Sequence, residues 1–307
     1  MTPIRHILCP VDLSDGSRRA LEHAAALARP GQSRLTVLHV YSTLSAADVA
    51  PMLDDVSVRI DPDCLTRELE AFVLPVAAGL SLGLRLRRAD DVRRAIVEEA
   101  DTVGADLLVI GSHGRSGFER LLLGSTAERV VRRSTCPVLV VPPQSVPPDD
   151  GRFRQIVCGI DFSAASLQAF RCAIQTVTAK GADVTLVHAI EMPPELHDRQ
   201  IVAAYDVEAI RAAAELGSRS RLEAIVAGDG AAPVRVNAAV VGGRAHREIL
   251  KIASARNADL VVLGTHGRSA IDRYVFGSNT DGVLRGAPCP VLTVRAQLVP
   301  DSFARIA

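Results

Sequence analysis

"GSHGRSGFERLLLGST" spans residues 111–126, and "GTHGRSAIDRYVFGSN" repeats it at 264–279, an offset of 153. In both, an apolar run leads into G-x-x-G, nine residues intervene, and a Gly-Ser pair follows. The run before the first glycine reads as a buried strand, and the Gly-Ser pair as the start of a helix. Outward from this stretch the rest of the chain repeats as well. "RHILCPVDLSDGSRRALEHAAALA" (5–28) aligns with "RQIVCGIDFSAASLQAFRCAIQTV" (154–177), and "LTVLHV" (35–40) with "VTLVHA" (184–189), both at an offset of 149. "GADLLVIGSHGRSG" (104–117) returns as "NADLVVLGTHGRSA" (257–270), and "TCPVLVV" (135–141) as "PCPVLTV" (288–294). Order is kept throughout, so the chain reads as two copies of one unit. The segment "VPPQSVPPDDGRF" (141–153) between them is rich in Pro and polar residues, as a linker is. The expected division is a first domain over 1–143, a linker over 144–152, a second domain over 153–297 and a tail over 298–307.

Each copy alternates short apolar runs with longer helical patterns. In the first, strands are expected at 6–11, 35–41, 83–88 (weak), 106–110 and 137–141, with helices at 15–29, near 63–80, 90–103 and 124–134. Helix 15–29 puts Ala20, Leu21, Ala24, Leu27 and Ala28 on one face, after a Ser14 able to cap it. Continuous apolar strands separated by helices predict a parallel α/β sheet covered on both sides. Ligands in such sheets bind at the carboxyl ends of the strands, where strand order reverses.

The totals agree with two domains and narrow the function. The 307 residues carry 35 Lys+Arg against 35 Asp+Glu, a balance that gives no overall attraction to nucleic acid or an anionic membrane surface. Aromatics are 3% with no Trp, too few for base-stacking platforms. Arginine clusters at Arg85, Arg87 and Arg88, and at Arg129, Arg132 and Arg133, read as solvated faces. No apolar run approaches the roughly 18 residues of a membrane span, and Asp12 and Asp15 interrupt the N-terminus too early for a signal peptide, so the expected location is the cytoplasm. None of the six cysteines forms C-x-x-C or a zinc spacing; they read as small buried hydrophobes.

The glycine segment is neither a Walker A, since no G-x-x-x-x-G-K-[ST] occurs, nor the dinucleotide fingerprint after the first strand. Its glycines let backbone pass close to a ligand, and N–H groups in such a bend beside a helix N-terminus form an anion cradle. The alternative is that they only shape a strand-to-helix connection. Ser125 can cap the helix or donate its hydroxyl to a phosphate oxygen.

At this point the chain resembles a tandem member of the universal stress protein family. The match rests on "PVDLS" and "GIDFS", "LHV" and "VHA", both G-x-x-G-x9-G-S segments, and the closing "CPVLVV" and "CPVLTV". The resemblance implies a five-stranded parallel sheet of order 3-2-1-4-5 in each domain, and members with this motif resemble ATP binders. It further implies two pockets. In the first, Asp12 and Val40 meet adenine, Pro10, Val11 and Ile110 line the nucleoside, Gly111 and His113 lie near the ribose, and Gly114, Gly124, Ser125 and Thr126 hold phosphates with a divalent ion, Mg2+, bound through those phosphates. In the second, Gly159, Ile160, Asp161, Ala189 and Leu263 take the nucleoside, Gly264 and His266 follow, and Gly267, Gly277, Ser278 and Asn279 take the phosphates. Asp12 and Asp161 can equally cap turns; His113 and His266 can donate to the ligand or simply form the rim. The copies also differ: the second has glycines in "VGGRAHREIL" (241–250), where the first reads "RRADDVRRAI" (87–96).

The expected function is an adenine-nucleotide-binding stress-response regulator, with no catalytic constellation by motif. The alternatives are a slow ATPase or self-phosphorylating enzyme, and an interaction scaffold with vestigial pockets. The resemblance implies that the "PVLVV" and "PVLTV" edges pair the two halves as an internal pseudo-dimer, and that two such chains can dimerise in turn.

Overall fold

The computed structural model describes residues 4–42, 61–114, 123–192, 206–228, 234–265 and 277–295. The chain divides into two compact units, one ending at Gly151 and the other beginning at Arg152. The first holds β1 (His6–Val11), α1 (Asp15–Gly31), β2 (Arg34–Tyr41), α2 (Pro62–Ala77), β3 (Leu82–Arg88), α3 (Val92–Val103), β4 (Leu107–Gly111), α4 (Ser125–Arg133) and β5 (Val138–Val141). The second holds β6 (Phe153–Gly159), α5 (Ala164–Thr176), β7 (Thr178–Ile190), α6 (Val207–Gly228), β8 (Arg235–Gly242), α7 (Ala245–Ala255), β9 (Leu260–Gly264), α8 (Ser278–Gly286) and β10 (Val291–Val294).

Within the first unit the strand order is β3-β2-β1-β4-β5, and within the second β8-β7-β6-β9-β10. Both are the 3-2-1-4-5 order, and the pairings inside each unit are parallel. The chain runs outward from β1 to β3, then crosses back to β4 on the other side of β1. The ends of β1 and β4, and of β6 and β9, therefore diverge into loops that leave in opposite directions and open a crevice.

The apolar runs go where a doubly covered sheet needs them. Ile7, Leu8, Leu108 and Leu139 in the first unit, and Val184, Leu260 and Val261 in the second, are fully buried. Each large side chain so buried contributes about 1.5–3 kcal/mol of transfer free energy. Helix α1 buries the expected face of Ala20, Leu21, Ala24, Leu27 and Ala28. Helix boundaries are set by caps. Ser14 accepts from the Ser17 amide to start α1, Asp91 accepts from the Arg93 and Arg94 amides to start α3 two residues later than the pattern implies, and Gly79, with φ +79°, closes the chain after α2. Strand β7 begins six residues before "VTLVHA": Thr178 pairs with Phe153 but Asp183 with Gln155, and the extra residues bulge out around Gly181 at φ +74°.

Candidate functional site

In the first unit the crevice is a cavity of about 310 Å³. Pro10, Val11 and Asp12 enter it from the end of β1, Val40 from β2, and Ile110 and Gly111 from β4. His113 and Gly114 follow on the loop, and Gly124, Ser125 and Thr126 close it from the start of α4. All eleven expected positions of this unit thus meet around one space. Sequence reasoning missed Leu38, Ser112, Val92 and Ile96. The last two sit four apart on α3 and form an apolar wall, a helical spacing legible only once the packing of α3 is known.

The second unit repeats the arrangement around a cavity of about 670 Å³. Gly159, Ile160 and Asp161 border it, with Ala189, Leu263 and Gly264, and with Gly277, Ser278 and Asn279 at the start of α8. His266 and Gly267 lie outside the described residues. His188, Glu191, Ser218, Arg221 and Ala245 also line it and were not anticipated.

The two aspartates do turn work on one oxygen. Asp12 Oδ1 accepts from the amide and hydroxyl of Ser14, and Asp161 Oδ1 from those of Ser163, the amide at 2.9 Å. The residue between each pair is left-handed, Leu13 at φ 66° and Phe162 at φ 63°, a conformation that costs a bulky residue about 1–3 kcal/mol and that these bonds hold in place. The second oxygen of Asp12 faces the glycine loop: a Cβ on Gly114 would lie 2.5 Å from Oδ2. Burial raises the carboxyl pKa of Asp161, but the Ser163 hydroxyl and amide and the Ser166 hydroxyl outweigh it, and the net shift is downward, toward the anion.

Histidines brace the same corner. His39 Nδ1 donates to Val11 O at 2.8 Å and His188 Nδ1 to Ile160 O at 2.7 Å, tying β2 to β1 and β7 to β6 at their carboxyl ends. On the loop, His113 Nδ1 meets Ser112 Oγ at 2.8 Å. Its Nε2 is buried with no hydrogen-bond partner among the described residues.

The strand-end glycines answer to packing. A Cβ on Gly111 would lie 2.8 Å from Gly16 O, and one on Gly264 2.7 Å from the carbonyl carbon of Ala165. The first turns of α1 and α5 press on β4 and β9 at these points. The Gly-Ser pairs differ. Gly124 and Gly277 are the N-cap residues of α4 and α8, and neither helix carries a side-chain cap. Helix N-termini leave several N–H groups without intrahelical acceptors, and the amides of Ser125 and Thr126, and of Ser278 and Asn279, find none elsewhere among the described residues. They open at the cavity ends with the positive pole of the helix. The Asn279 side chain is partly committed: its Oδ1 accepts from the His246 amide at 3.3 Å.

Among the described residues no three His, Cys, Asp or Glu side chains come together as metal ligands, and no helix is long and apolar enough to cross a membrane. Cys9 and Cys158, behind the crevices, are fully buried, which pushes their thiol pKa values up and keeps them protonated.

Fold and site together define a tandem of doubly wound α/β units, each with a ligand-sized crevice at its switch point. The model of the Universal stress protein family matches residues 3–142 and 152–295, and the chain belongs to that family. It is 32% identical over 197 residues to universal stress protein Rv2005c of Mycobacterium tuberculosis, a match covering 62% of each chain. It is 26% identical over 301 residues to a universal stress protein of Mycolicibacterium smegmatis, covering 94% of this chain and 96% of that one. The crystal structure of a universal stress protein from Archaeoglobus fulgidus shares the fold, with a TM-score of 0.61 at 20% identity over 94% of this chain and 98% of the other.

Proposed function

We propose that the chain binds an adenine nucleotide, ATP with a divalent ion, in one or both units and acts as a nucleotide-dependent regulator of a stress response. One observation carries this reading. In each unit a helix N-terminus without a side-chain cap opens on a cavity whose other end is apolar. That is the arrangement a polyanion with a flat, weakly polar head requires. Both volumes fall within the roughly 300–1,000 Å³ of small-molecule sites.

The residues fit the nucleotide in named roles. Val40 and Ile110, or Ala189 and Leu263, flank the base, and the carboxylate of Asp12 or Asp161 accepts from an amino or hydroxyl group. The unpartnered His113 Nε2 suits a ligand oxygen. The amides of Ser125 and Thr126, or Ser278 and Asn279, receive phosphate oxygens. The chain supplies no cluster of metal ligands among its described residues, so Mg2+ would be held through the phosphates.

The test is to purify the whole chain, release any retained small molecule for mass spectrometry, and titrate Mg-ATP calorimetrically. Binding of one or two equivalents is expected, with stabilisation of about 2.7 kcal/mol per site at a hundredfold excess over Kd. No heat, no retained nucleotide and an unchanged melting temperature would end the proposal.

A further inference from the structure

Helix α7 starts without a local cap. Its N-cap residue is Arg244, whose side chain makes no capping hydrogen bond; an arginine has only donors and cannot serve the first-turn amides. Other side chains meet them. The Ala245 amide donates to Glu191 Oε1 at 2.7 Å, and the neighbouring His246 amide to Asn279 Oδ1. Glu191 follows β7 directly, and Glu191, Ala245 and Asn279 all border the 670 Å³ cavity. The bond to Asn279 brings the start of α7 beside the start of α8, the end of the cavity where open amides gather.

The first unit meets the same need differently. Asp91 caps α3 from the adjacent position and stands apart from that unit's cavity lining. The position matching Glu191 is Ser42, which carries no charge. Among the described residues, then, only the second crevice holds a carboxylate that reaches a helix N-terminus across 54 residues of sequence. Glu191 also has somewhere to go. It borders a further cavity of about 680 Å³ that includes Arg211, Gly242, Gly243 and Arg244.

We propose that Glu191, an exposed carboxylate at the rim of the cavity, is a displaceable anion that competes with the phosphate end of a nucleotide for the start of α7. A ligand entering the second unit drives the carboxylate toward Arg244 and Arg211. An unphosphorylated or singly phosphorylated ligand has less charge with which to displace it. This inference rests on the nucleotide reading of the cavity and gives its two copies unequal selectivity.

The experiment uses the whole chain carrying Ser125→Asp, which places a carboxylate at the open end of α4, suits the helix dipole and fills the first site with its own charge. On that background, Glu191→Ala and Glu191→Gln are titrated with Mg-ATP and with AMP, and amide exchange is followed over 245–248. Glu191→Ala should tighten Mg-ATP by about five- to tenfold, tighten AMP less, and speed exchange of the α7 first turn in the absence of nucleotide. Glu191→Gln keeps an oxygen for the Ala245 amide and loses the charge, so its gain should be smaller. Mg-ATP affinity unchanged in both variants, with the background chain still binding one equivalent, overturns the role of Glu191 and leaves the nucleotide reading intact. No binding even by the unsubstituted chain overturns both. If Glu191→Ala unfolds, Glu191→Gln decides alone: tighter Mg-ATP supports displacement and unchanged affinity refutes it.

Discussion

Gly264 and Gly277 look equivalent in the motif, yet their surroundings set different tasks. A methyl group on Gly264 would press within 2.7 Å of backbone atoms of Ala165 and Ser166, which cannot yield without moving α5. Gly264→Ala should therefore lower the unfolding free energy by about 1–3 kcal/mol. At Gly277 the nearest atom to an added methyl is Thr280 Oγ1 at 3.8 Å, ordinary contact. Gly277→Ala should cost less than about 1 kcal/mol, the loss of a good N-cap residue. Urea unfolding of the two variants distinguishes them, and equal losses would contradict this assignment. Thiols give a second check at the same scale. Burial pushes Cys289 up to about 12 and raises Cys9 and Cys158 as well, while Cys64 is exposed. An alkylating reagent at pH 8 should modify Cys64 quickly and reach Cys9 and Cys158 only in denaturant. Mass spectrometry of the labelled peptides reads the order.

At the scale of the element, α1 carries a buried titratable group on its core face. His23 is completely buried, with Nδ1 donating to Arg19 O at 2.9 Å. Burial lowers its pKa below the ordinary 6.5, and the Arg19 carbonyl only partly opposes this. The unfolded chain then takes up a proton below about pH 6.5 that the folded chain refuses. The sign follows: α1 packing loses stability as pH falls from neutral toward 5, and keeps it above 7. Replacing His23 with Phe, which cannot titrate, should flatten the difference in unfolding free energy between pH 7.5 and 5.5, leaving the part due to other groups such as His6, whose pKa burial also lowers. An undiminished slope would show that other groups, not His23, carry the pH dependence. The caps explain where elements begin. Ser14 lies at its helix start as expected, and Asp91 and Ser163 cap α3 and α5 from the adjacent position, whereas α7, with arginine in that place, borrows its acceptor from a distant loop.

For the whole molecule, each unit contains a full sheet, its helices and a core of its own. Residues 3–151 and 152–295, expressed separately, should each show helical circular dichroism and a single cooperative urea transition. A half without such a transition would show that its core is incomplete alone. If both fold, titrating Mg-ATP into each assigns the two candidate sites to their halves without substitution.

Much of this architecture was readable from the chain alone, because it depends on local periodicities that recur. The apolar runs, the helix faces, the switch-point aspartates and the doubled glycine segment specified the sheet order through its family and brought together every first-unit residue expected at the crevice. Those signals survive in sequence because each acts over a few residues. What they left open were contacts between segments far apart: that Gly111 and Gly264 make room for a neighbouring helix, that Asn279 answers His246, and that Glu191 caps a helix 54 residues away. No spacing rule encodes a hydrogen bond between a loop after one strand and the helix after the next, because the distance between them is set by the packing of the sheet. The sequence by itself therefore determined the fold and where its crevices open, and already set the two copies apart; only the tertiary structure decided that Glu191 holds the start of α7 beside the second crevice.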